Sequence, residues 1–304
     1  MSDGLIHTSI IIPTRNRVAD LRRCLSILIP QLPHDDSVDI HICDDSDGHG
    51  TETLLKEEFP TVKRHVGPRT GPGANRNVGA HAVASEWLIF LDDDCLPHPA
   101  IIPSYLTAIQ ATTTPTMLSG PVLRNDEHRG SLLWEAPHNA LQHELPPSCN
   151  FAMPRSLYLE SGGFDERFRY SFEDMEFFAR LIRMDIPARF VPEAGVDHPS
   201  RSLPPASKLA LRWESRVISS FDFGADSSQI RWLLPRHVAL VIFSRFRGRK
   251  PCLENLHAAW IFFLEFLLML RHLPGWITKF SAAPRSPFWV DQVNHGKGPA
   301  RFGL

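Results

Sequence analysis

Two short strand-like runs that end in consecutive aspartates constrain the fold of this chain more than any other feature. Residues 38–43 (VDIHIC) run into the aspartate pair 44–45, and the fully apolar residues 87–91 (WLIFL) run into the aspartates 92–94. Helix-like segments separate such runs, and this alternation predicts a parallel sheet covered by helices on both faces. Because parallel sheets bind ligands beyond the carboxyl ends of their strands, both acidic clusters fall where a binding site is expected.

The same alternation fills the first two thirds of the chain, and a helical pattern fills most of the rest. Strands are predicted at residues 8–13, 38–43, 62–66, 87–91 and 117–122, with an extended segment at 189–196. Helices are predicted at residues 19–32, 51–58, 74–85, 99–111, 155–161, 172–184, 205–223, 229–246 and 253–272. We therefore predict three parts of the chain: an α/β domain, a helical extension and a flexible tail, over residues 1–203, 204–279 and 280–304.

The charge of the chain is small in total and unevenly distributed. The 304 residues carry 32 basic and 34 acidic side chains, a balance that argues against a general nucleic-acid-binding protein. Residues 1–200 hold 17 basic and 28 acidic side chains, a net charge of −11, whereas residues 201–304 hold 15 and 6, a net charge of +9. We therefore expect the two regions to face different partners.

Cysteine usage and apolar segments bear on location. The five cysteines are scattered and form no CxxC pair, which favours a reducing, cytoplasmic compartment over a disulfide framework. Residues 1–13 lack the basic region of a signal peptide. The apolar residues 256–270 either form a core helix, which we prefer, or lie on the inner face of the cell membrane. In the second case the basic side chains within residues 245–250 would favour anionic lipids.

Asp92 and Asp94 are candidate metal ligands. In an extended chain alternate side chains share a face, so these two carboxylates can converge while that of Asp93 points away. Paired carboxylates suit Mg²⁺ or Mn²⁺, whose remaining coordination positions substrate phosphates and water can fill. A solvated acidic turn is the alternative, but the apolar strand directly before the aspartates favours a metal site.

Two more segments carry candidate binding groups, each with a structural alternative. Asp44 and Asp45 can accept hydrogen bonds from a nucleoside, or they can cap a helix. In the glycine-rich residues 67–79, Arg69 and Arg76 can neutralise a diphosphate, or they can be solvated. This segment lacks the GK[ST] ending of a phosphate-binding P-loop.

Glu173, Asp174 and His198 are the remaining candidates. The two acids open a predicted helix, where the positive end of the helix dipole favours acidic side chains without any further function. One of them could instead be a general base that removes a proton from an attacking hydroxyl. His198 could be a third metal ligand, although in a chain with 15 histidines a single one is more often structural.

Residues 8–198 resemble a family 2 glycosyltransferase with the GT-A fold. The resemblance rests on five segments in order: SIIIPTRNR (9–17), DDSDGHGT (44–51), GANRNVGAHAVASEWLIFLDDDC (73–95), GGFDERF (162–168) and FEDMEFFARL (172–181). It implies a Rossmann-like, mostly parallel sheet flanked by helices, with the helical residues as a carboxyl-terminal extension. Two departures stand out: DDSDG replaces the usual DDGS turn, and the family's QxxRW motif has no match, which disfavours processive polysaccharide synthesis.

The resemblance implies a role for each candidate residue. The loop after the first strand, with Pro13, Arg15 and Asn16, would surround the nucleoside of a nucleotide-sugar. Asp44 or Asp45, after the second strand, would bind the base, and Arg76 would approach the nucleotide. Two carboxylates and a histidine would contact ribose, metal and diphosphate: Asp92, Asp94 and His198. Asp174, with Glu173 beside it, would be the base of an inverting enzyme.

The expected function is therefore transfer of a sugar from a UDP-, GDP- or dTDP-sugar to an acceptor hydroxyl, in polysaccharide or glycoconjugate biosynthesis. Mn²⁺ or Mg²⁺ is the expected cofactor, and the acceptor is a glycan, a lipid-linked molecule or a small molecule. One alternative is a non-catalytic GT-A-like protein that binds nucleotide or acts as a scaffold, but the intact acidic pairs argue against it. Another is a nucleotidyltransferase, which would need a glycine-rich loop where this chain has PTRNRV.

Overall fold

The structure, a computed structural model, describes residues 6–124, 127–135 and 147–286. The chain divides into two compact units, which we call the first and the second unit. The first consists of Met1–Glu127 and Ala136–Ser200, and the second of His128–Glu135 and Arg201–Leu304. The second unit thus begins close to the predicted division after residue 203 and also includes a short segment from the middle of the chain.

As far as residue 91 the elements follow the predicted alternation of strands and helices. In chain order the strands are β1 (Thr8–Thr14), β2 (Val38–Asp44), β3 (Lys63–Val66), β4 (Trp87–Leu91), β5 (Leu96–Pro97), β6 (Met117–Ser119), β7 (Val122–Arg124), β8 (Trp134–Glu135), β9 (Asn150–Pro154), β10 (Ala188–Phe190), β11 (Val196–His198) and β12 (Arg201–Ser202). The helices are α1 (Val18–Leu28), α2 (Gly50–Glu58), α3 (Pro72–Ala82), α4 (Ile101–Gln110), α5 (Arg155–Glu160), α6 (Glu173–Arg183), α7 (Ala206–Leu211), α8 (Glu214–Asp222), α9 (Ser227–Phe246) and α10 (Leu253–Ser281). The strands β5, β8, β9 and β12 were not predicted.

A mostly parallel seven-stranded sheet forms the centre of the first unit. Its strand order is β10-β6-β9-β4-β1-β2-β3, and β9 is the strand that runs antiparallel to its neighbours. Because alternate side chains of a strand point to opposite faces, β1 contributes Ile10 and Ile12 to one buried cluster and Ile11 to the other. Side chains of α1 and α4 complete the first cluster, and those of α3 and α6 the second. The predicted fold class, a helix-flanked GT-A sheet, is confirmed.

The predicted strand at residues 117–122 is in fact two strands in different sheets. β6 belongs to the central sheet, whereas β7 joins β5 and β11 in a three-stranded sheet. Gly120 lies at this break, where a Cβ atom would come within 1.8 Å of the Ala194 carbonyl oxygen. The predicted extended segment 189–196 divides in the same way, because β10 pairs with β6 while β11 pairs with β7.

The second unit is helical, as predicted, apart from the pairing of β8 with β12. α10 packs against α7, α8 and α9. The predicted helix at residues 205–223 is two helices, α7 and α8, and the side chains between them are engaged elsewhere: Arg212 with Glu135, and Trp213 with Glu265. α10 continues to Ser281, past its predicted end at residue 272, because its last turns are buried against the unit. Most of the predicted tail, residues 280–304, lies outside the described residues.

Candidate active site

Three neighbouring strands of the central sheet, β1, β2 and β4, end at the same edge. Asp93, which follows β4, is buried there and accepts hydrogen bonds from the Thr14 hydroxyl (2.8 Å) and the Arg17 guanidinium (3.1 Å). Burial raises the pKa of Asp93, and the charge of Arg17 opposes that shift. Asp93 therefore links the loops after β1 and β4.

Asp92, Asp94 and His198 converge beside that link. One ligand atom from each lies within 4.8 Å of the others. β11 ends in His198 and pairs antiparallel with β5, the strand that directly follows the aspartates, so the small sheet brings the imidazole to the carboxylates. The Nδ1 atom of His198 lies 3.1 Å from the Pro199 carbonyl oxygen. If Nδ1 carries the proton of that hydrogen bond, Nε2 is left with its lone pair available to a metal.

The chemistry of this ligand set fits a divalent cation. Carboxylate oxygens are preferred by Mg²⁺ and Mn²⁺, and one imidazole nitrogen favours Mn²⁺ over Mg²⁺. The Arg17 guanidinium lies 3.4 Å from the Asp94 carboxylate, and its positive charge partly neutralises the acidic cluster. Asp92 is partly exposed while Asp94 and His198 are buried, so the three could hold a cation at the rim of the sheet with positions left for substrate oxygens.

Two thiols approach the same imidazole, a feature that the scattered cysteines of the sequence did not indicate. Ligand atoms of Cys95, Cys149 and His198 also lie within 4.8 Å of one another. A hydrogen bond to Cys149 together with burial holds the pKa of the Cys95 thiol well above its ordinary value. Thiols suit softer metals such as Zn²⁺, whereas the carboxylate set suits Mg²⁺ or Mn²⁺.

Arg76 connects the aspartates to the start of α6. Its buried guanidinium donates a hydrogen bond from Nη2 to Asp92, and Nη1 lies 3.8 Å from the Glu173 carboxylate. The guanidinium also lies over the Phe164 ring, 5.4 Å from its centroid. The Nε and Nη1 atoms are buried without a hydrogen-bond acceptor among the described residues, so an anionic oxygen brought to this edge would find donors there.

Glu173 and Asp174 occupy the first turn of α6 in different surroundings. The residue before them, Phe172, has a φ of 76°, a left-handed conformation that is costly for a bulky side chain and is often found at functional sites. Glu173 is buried against Arg76, and burial raises its pKa to about 7. Burial also raises the pKa of Asp174, which is nevertheless more exposed than Glu173. Asp174 is therefore the carboxylate better able to meet an incoming substrate.

The loops after β1 and β2 are joined by three hydrogen bonds. The Asn16 amide donates to the Asp47 carboxylate (2.9 Å) and accepts from the Asp47 backbone (3.1 Å), while the Asn16 backbone donates to the Ser46 hydroxyl (2.8 Å). Arg15 lies 3.7 Å from Asp47 and is exposed. Pro13, predicted to lie in this loop, is instead buried inside β1, because the strand continues to Thr14.

Asp44 and Asp45 are used differently, although the sequence left them equivalent. Asp44 is buried and accepts hydrogen bonds from the Arg64 guanidinium and the Ser46 backbone, both at 2.9 Å. Asp45 accepts one from the Arg69 backbone at 2.9 Å, and burial raises its pKa. Asp44 thus stabilises the DDSDG turn, and Asp45 is the better candidate for a base contact.

Several polar residues that hold this edge of the sheet together were not predicted from the sequence. Arg17 and Arg64 hold the aspartates after β4 and β2, and Asn77 on α3 fixes the GGFDERF segment through the Phe164 backbone, with distances of 3.0 and 2.9 Å. Asn77 stands inside a helix that spacing predicts, where its amide has no obvious local partner. The one indication of this role in the sequence was a polar residue beside Arg76 in a predicted helix.

Gly67 provides a direct test of how tightly this edge is packed. A Cβ atom there would lie 2.0 Å from the Asp45 carboxylate and 2.1 Å from the Asn75 amide oxygen. We expect Gly67→Ala to lower the free energy of unfolding by about 1 to 3 kcal/mol, because these buried groups cannot yield without losing hydrogen bonds. Urea unfolding measures this, with Gly48→Ala as the control since a Cβ there meets nothing within 4 Å. Equal stability of the two variants would contradict the packing described.

The sheet order, with acidic groups at the carboxyl edge, is that of the GT-A fold. Residues 9–161 match the family described as Glycosyl transferase family 2, which is half of the chain. The chain belongs to this family.

Named relatives agree with that membership, and a solved structure agrees with the fold. The chain is similar to the pre-mycofactocin glycosyltransferase of Mycobacterium tuberculosis, with 28% identity over 209 residues, 64% of this chain and 43% of that protein. It is 24% identical over 184 residues to an uncharacterized glycosyltransferase of Haemophilus influenzae, covering 58% of this chain and 62% of that one. The crystal structure of S. aureus TarS 1-349 shares its fold, with a TM-score of 0.52 and 17% identity over 95% of this chain and 92% of that one. The chain spans less than two thirds of the length of the two relatives that it matches by sequence.

Proposed function

We propose that this chain transfers a sugar from a nucleoside-diphosphate sugar to an acceptor hydroxyl, with a divalent cation and with inversion at the anomeric carbon. The observation that carries the proposal is the convergence of Asp92, Asp94 and His198 within 4.8 Å, linked through Arg76 to the carboxylates that open α6. One side of this arrangement suits a leaving diphosphate, and the other offers a base.

The donor side of the proposal uses side chains at the ends of β1, β2 and β4. Arg15, Asn16 and Asp45 would surround the nucleoside, and the unsatisfied donors of Arg76 would stabilise negative charge on the diphosphate. Asp92, Asp94 and His198 would hold Mn²⁺ or Mg²⁺, which as a Lewis acid neutralises the leaving diphosphate. The imidazole ligand favours Mn²⁺.

The acceptor side uses Asp174. Its carboxylate removes the proton of the acceptor hydroxyl as the oxygen bonds to the anomeric carbon. The bond from that carbon to the diphosphate breaks in the same step, and its electron pair leaves with the diphosphate. One base acting in a single displacement gives inversion.

Location and acceptor form the remaining part of the proposal. The cysteines among the described residues are free, which fits a reducing cytoplasm. The acceptor hydroxyl would belong to a glycan, a lipid-linked molecule or a small molecule. A lipid-linked acceptor would explain a peripheral position on the inner face of the cell membrane.

Donor hydrolysis tests the proposal. The full chain is incubated with a panel of UDP-, GDP- and dTDP-sugars in the presence of Mn²⁺, and released nucleotide is measured. We expect release from one donor class, reduced by a chelator. If no nucleotide is released from any donor, a nucleotide-binding or scaffold role is favoured instead.

A further inference from the structure

α10 has two apolar faces, of which the second unit buries only one. The buried face packs against α7, α8 and α9 and carries the side chains Ala258, Phe262, Glu265, Met269, Leu273, Trp276, Ile277 and Phe280. The other face leaves six large apolar side chains exposed among the described residues: Leu253, Leu256, Trp260, Phe263, Leu267 and Leu270. Trp260 alone is 58% exposed. An apolar stripe of this length is a mark of an interaction surface.

The exposed side chains form one continuous stripe, which we call the α10 stripe. They recur at intervals of three and four residues, the spacing that keeps side chains on one side of a helix. Between Glu254 and Arg271 the helix carries one charged residue, Glu265, and that residue belongs to the buried face. From Leu256 to Leu270, about four turns, the α10 stripe therefore has no charged side chain beside it, and charged residues adjoin only its two ends, at Glu254 and Arg271.

α9 presents a second exposed face in the same unit, with a different composition. Trp232 and Phe243 are 78% and 73% exposed, and Leu240 between them is also exposed. Arg236 falls on the same side at helical spacing, and Arg247 directly follows the last residue of α9. Aromatic and basic side chains on one face are typical of helices that lie at the surface of an anionic membrane.

We propose that the α10 stripe and the exposed face of α9 bind the surface of an anionic lipid bilayer. Exposed basic side chains that could meet lipid phosphates occur on α9, on α10 and in the segment between them: Arg236, Arg247, Arg249, Lys250 and Arg271. They belong to the region of the chain that carries a net charge of +9. Basic residues at a bilayer surface are attracted by anionic lipids, and apolar side chains enter the boundary below the head groups.

A bilayer fits this surface better than a second helix does. Helices that pair in water usually place charged residues beside the apolar seam, where they set the register. The residues beside the α10 stripe, such as Leu264, Phe266 and Leu268, are apolar. A lipid boundary needs no register, and it accommodates a wide apolar face.

The surface binds without crossing the membrane. α10 is long and apolar enough to span a bilayer by length and composition. Its other face, however, is packed into the second unit, where the buried Glu265 accepts a hydrogen bond of 2.7 Å from the Trp213 indole. Spanning would expose Glu265 to hydrocarbon and separate α10 from three helices, so the helix lies in the plane of the interface.

Vesicle flotation of the full chain tests the proposal. Membrane binding rests on the proposed function in one respect only, namely that it would bring the enzyme to a lipid-linked acceptor. We expect flotation with phosphatidylcholine–phosphatidylglycerol vesicles, and tenfold or more weaker partitioning for a Trp260→Ser, Phe263→Ser double variant. The control is Ile182→Ser, which removes a similarly exposed apolar side chain from the first unit. An Arg247→Gln, Arg249→Gln variant should no longer bind anionic vesicles more tightly than neutral ones, and its binding to neutral vesicles should equal that of the wild type.

Three results would overturn the proposal. The first is equal flotation of the wild type and the double variant, with both folded by circular dichroism. The second is a wild-type dimer in sedimentation velocity that the double variant abolishes, which would assign the α10 stripe to a second copy of the chain. The third is resistance to alkaline carbonate extraction, which would indicate a spanning helix. Flotation needs no donor or turnover, so its outcome is independent of whether glycosyl transfer is found.

Discussion

Asp174→Asn should reduce sugar transfer by about 10²- to 10⁴-fold while leaving the affinity for the donor nucleotide close to that of the wild type. An amide of the same shape keeps the first turn of α6 but cannot accept the proton of the acceptor hydroxyl. Glu173 cannot replace it, because that carboxylate is buried and lies 3.8 Å from Arg76. The loss should therefore appear in kcat, measured as transferred sugar, with nucleotide binding followed by calorimetry.

The control for this variant is Asp185→Asn, the same change just beyond the other end of α6. Asp185 is exposed and has a φ of 53°, a conformation that asparagine also tolerates, so its transfer rate should be unchanged. A low-pH limb in the rate profile of the wild type that is absent from Asp174→Asn would further identify the titrating base. Near-normal turnover of Asp174→Asn would remove Asp174 from the mechanism and leave Glu173 as the candidate.

The central sheet was predictable because burial on both faces leaves a strong local signal. WLIFL and SIIIP have few polar residues, and the helices between them keep the spacing of one apolar stripe. The breaks at Gly120 and between β10 and β11 were not predictable in this way. They depend on a close approach of Gly120 to Ala194, which is 74 residues away in sequence and leaves no periodic pattern.

The sequence was enough to predict which groups of polar residues form the candidate site, but not the contacts of each side chain. Strand alternation predicts that Asp92 and Asp94 converge, and they do, together with His198. The aspartates lie in a turn beyond the end of β4, however, and Arg17 contacts both Asp93 and Asp94, so alternation does not account for the surroundings of each one. No comparable rule separates Asp44 from Asp45, because their difference comes from Arg64 on a neighbouring strand. Likewise, the partners of Arg76 are supplied by β4 and α6, which only the tertiary fold brings together.

The two apolar faces of α10 illustrate the same limit in the second unit. From the sequence, residues 256–270 could be a core helix or an interfacial one, because both are apolar. The structure buries one face of α10 in the unit, as a core helix requires, and leaves the other exposed, as an interfacial helix would require. Composition cannot distinguish them, since side-chain burial on each face depends on where α7, α8 and α9 pack.

Asp94→Ala should abolish the dependence of donor binding on metal. In the wild type, UDP or GDP should bind more tightly with Mn²⁺ than with a chelator, because Asp94 and its two partners would hold the cation against the diphosphate. In the variant one carboxylate ligand is lost, and Arg17 is left facing Asp93 alone, so the affinities with and without Mn²⁺ should become equal. Isothermal titration calorimetry with each nucleotide measures this directly.

The matched control is Asp197→Ala, because Asp197 stands next to His198 on β11 but is exposed and lies 3.1 Å from His98. Strand alternation turns its carboxylate away from the His198 side, so the gain in affinity from Mn²⁺ should persist in this variant. Thermal unfolding of both variants shows whether either change disturbs the fold. If Asp94→Ala keeps the full gain from Mn²⁺ while remaining folded, the cation is held elsewhere, and Cys95, Cys149 and His198 become the first alternative ligand set to substitute.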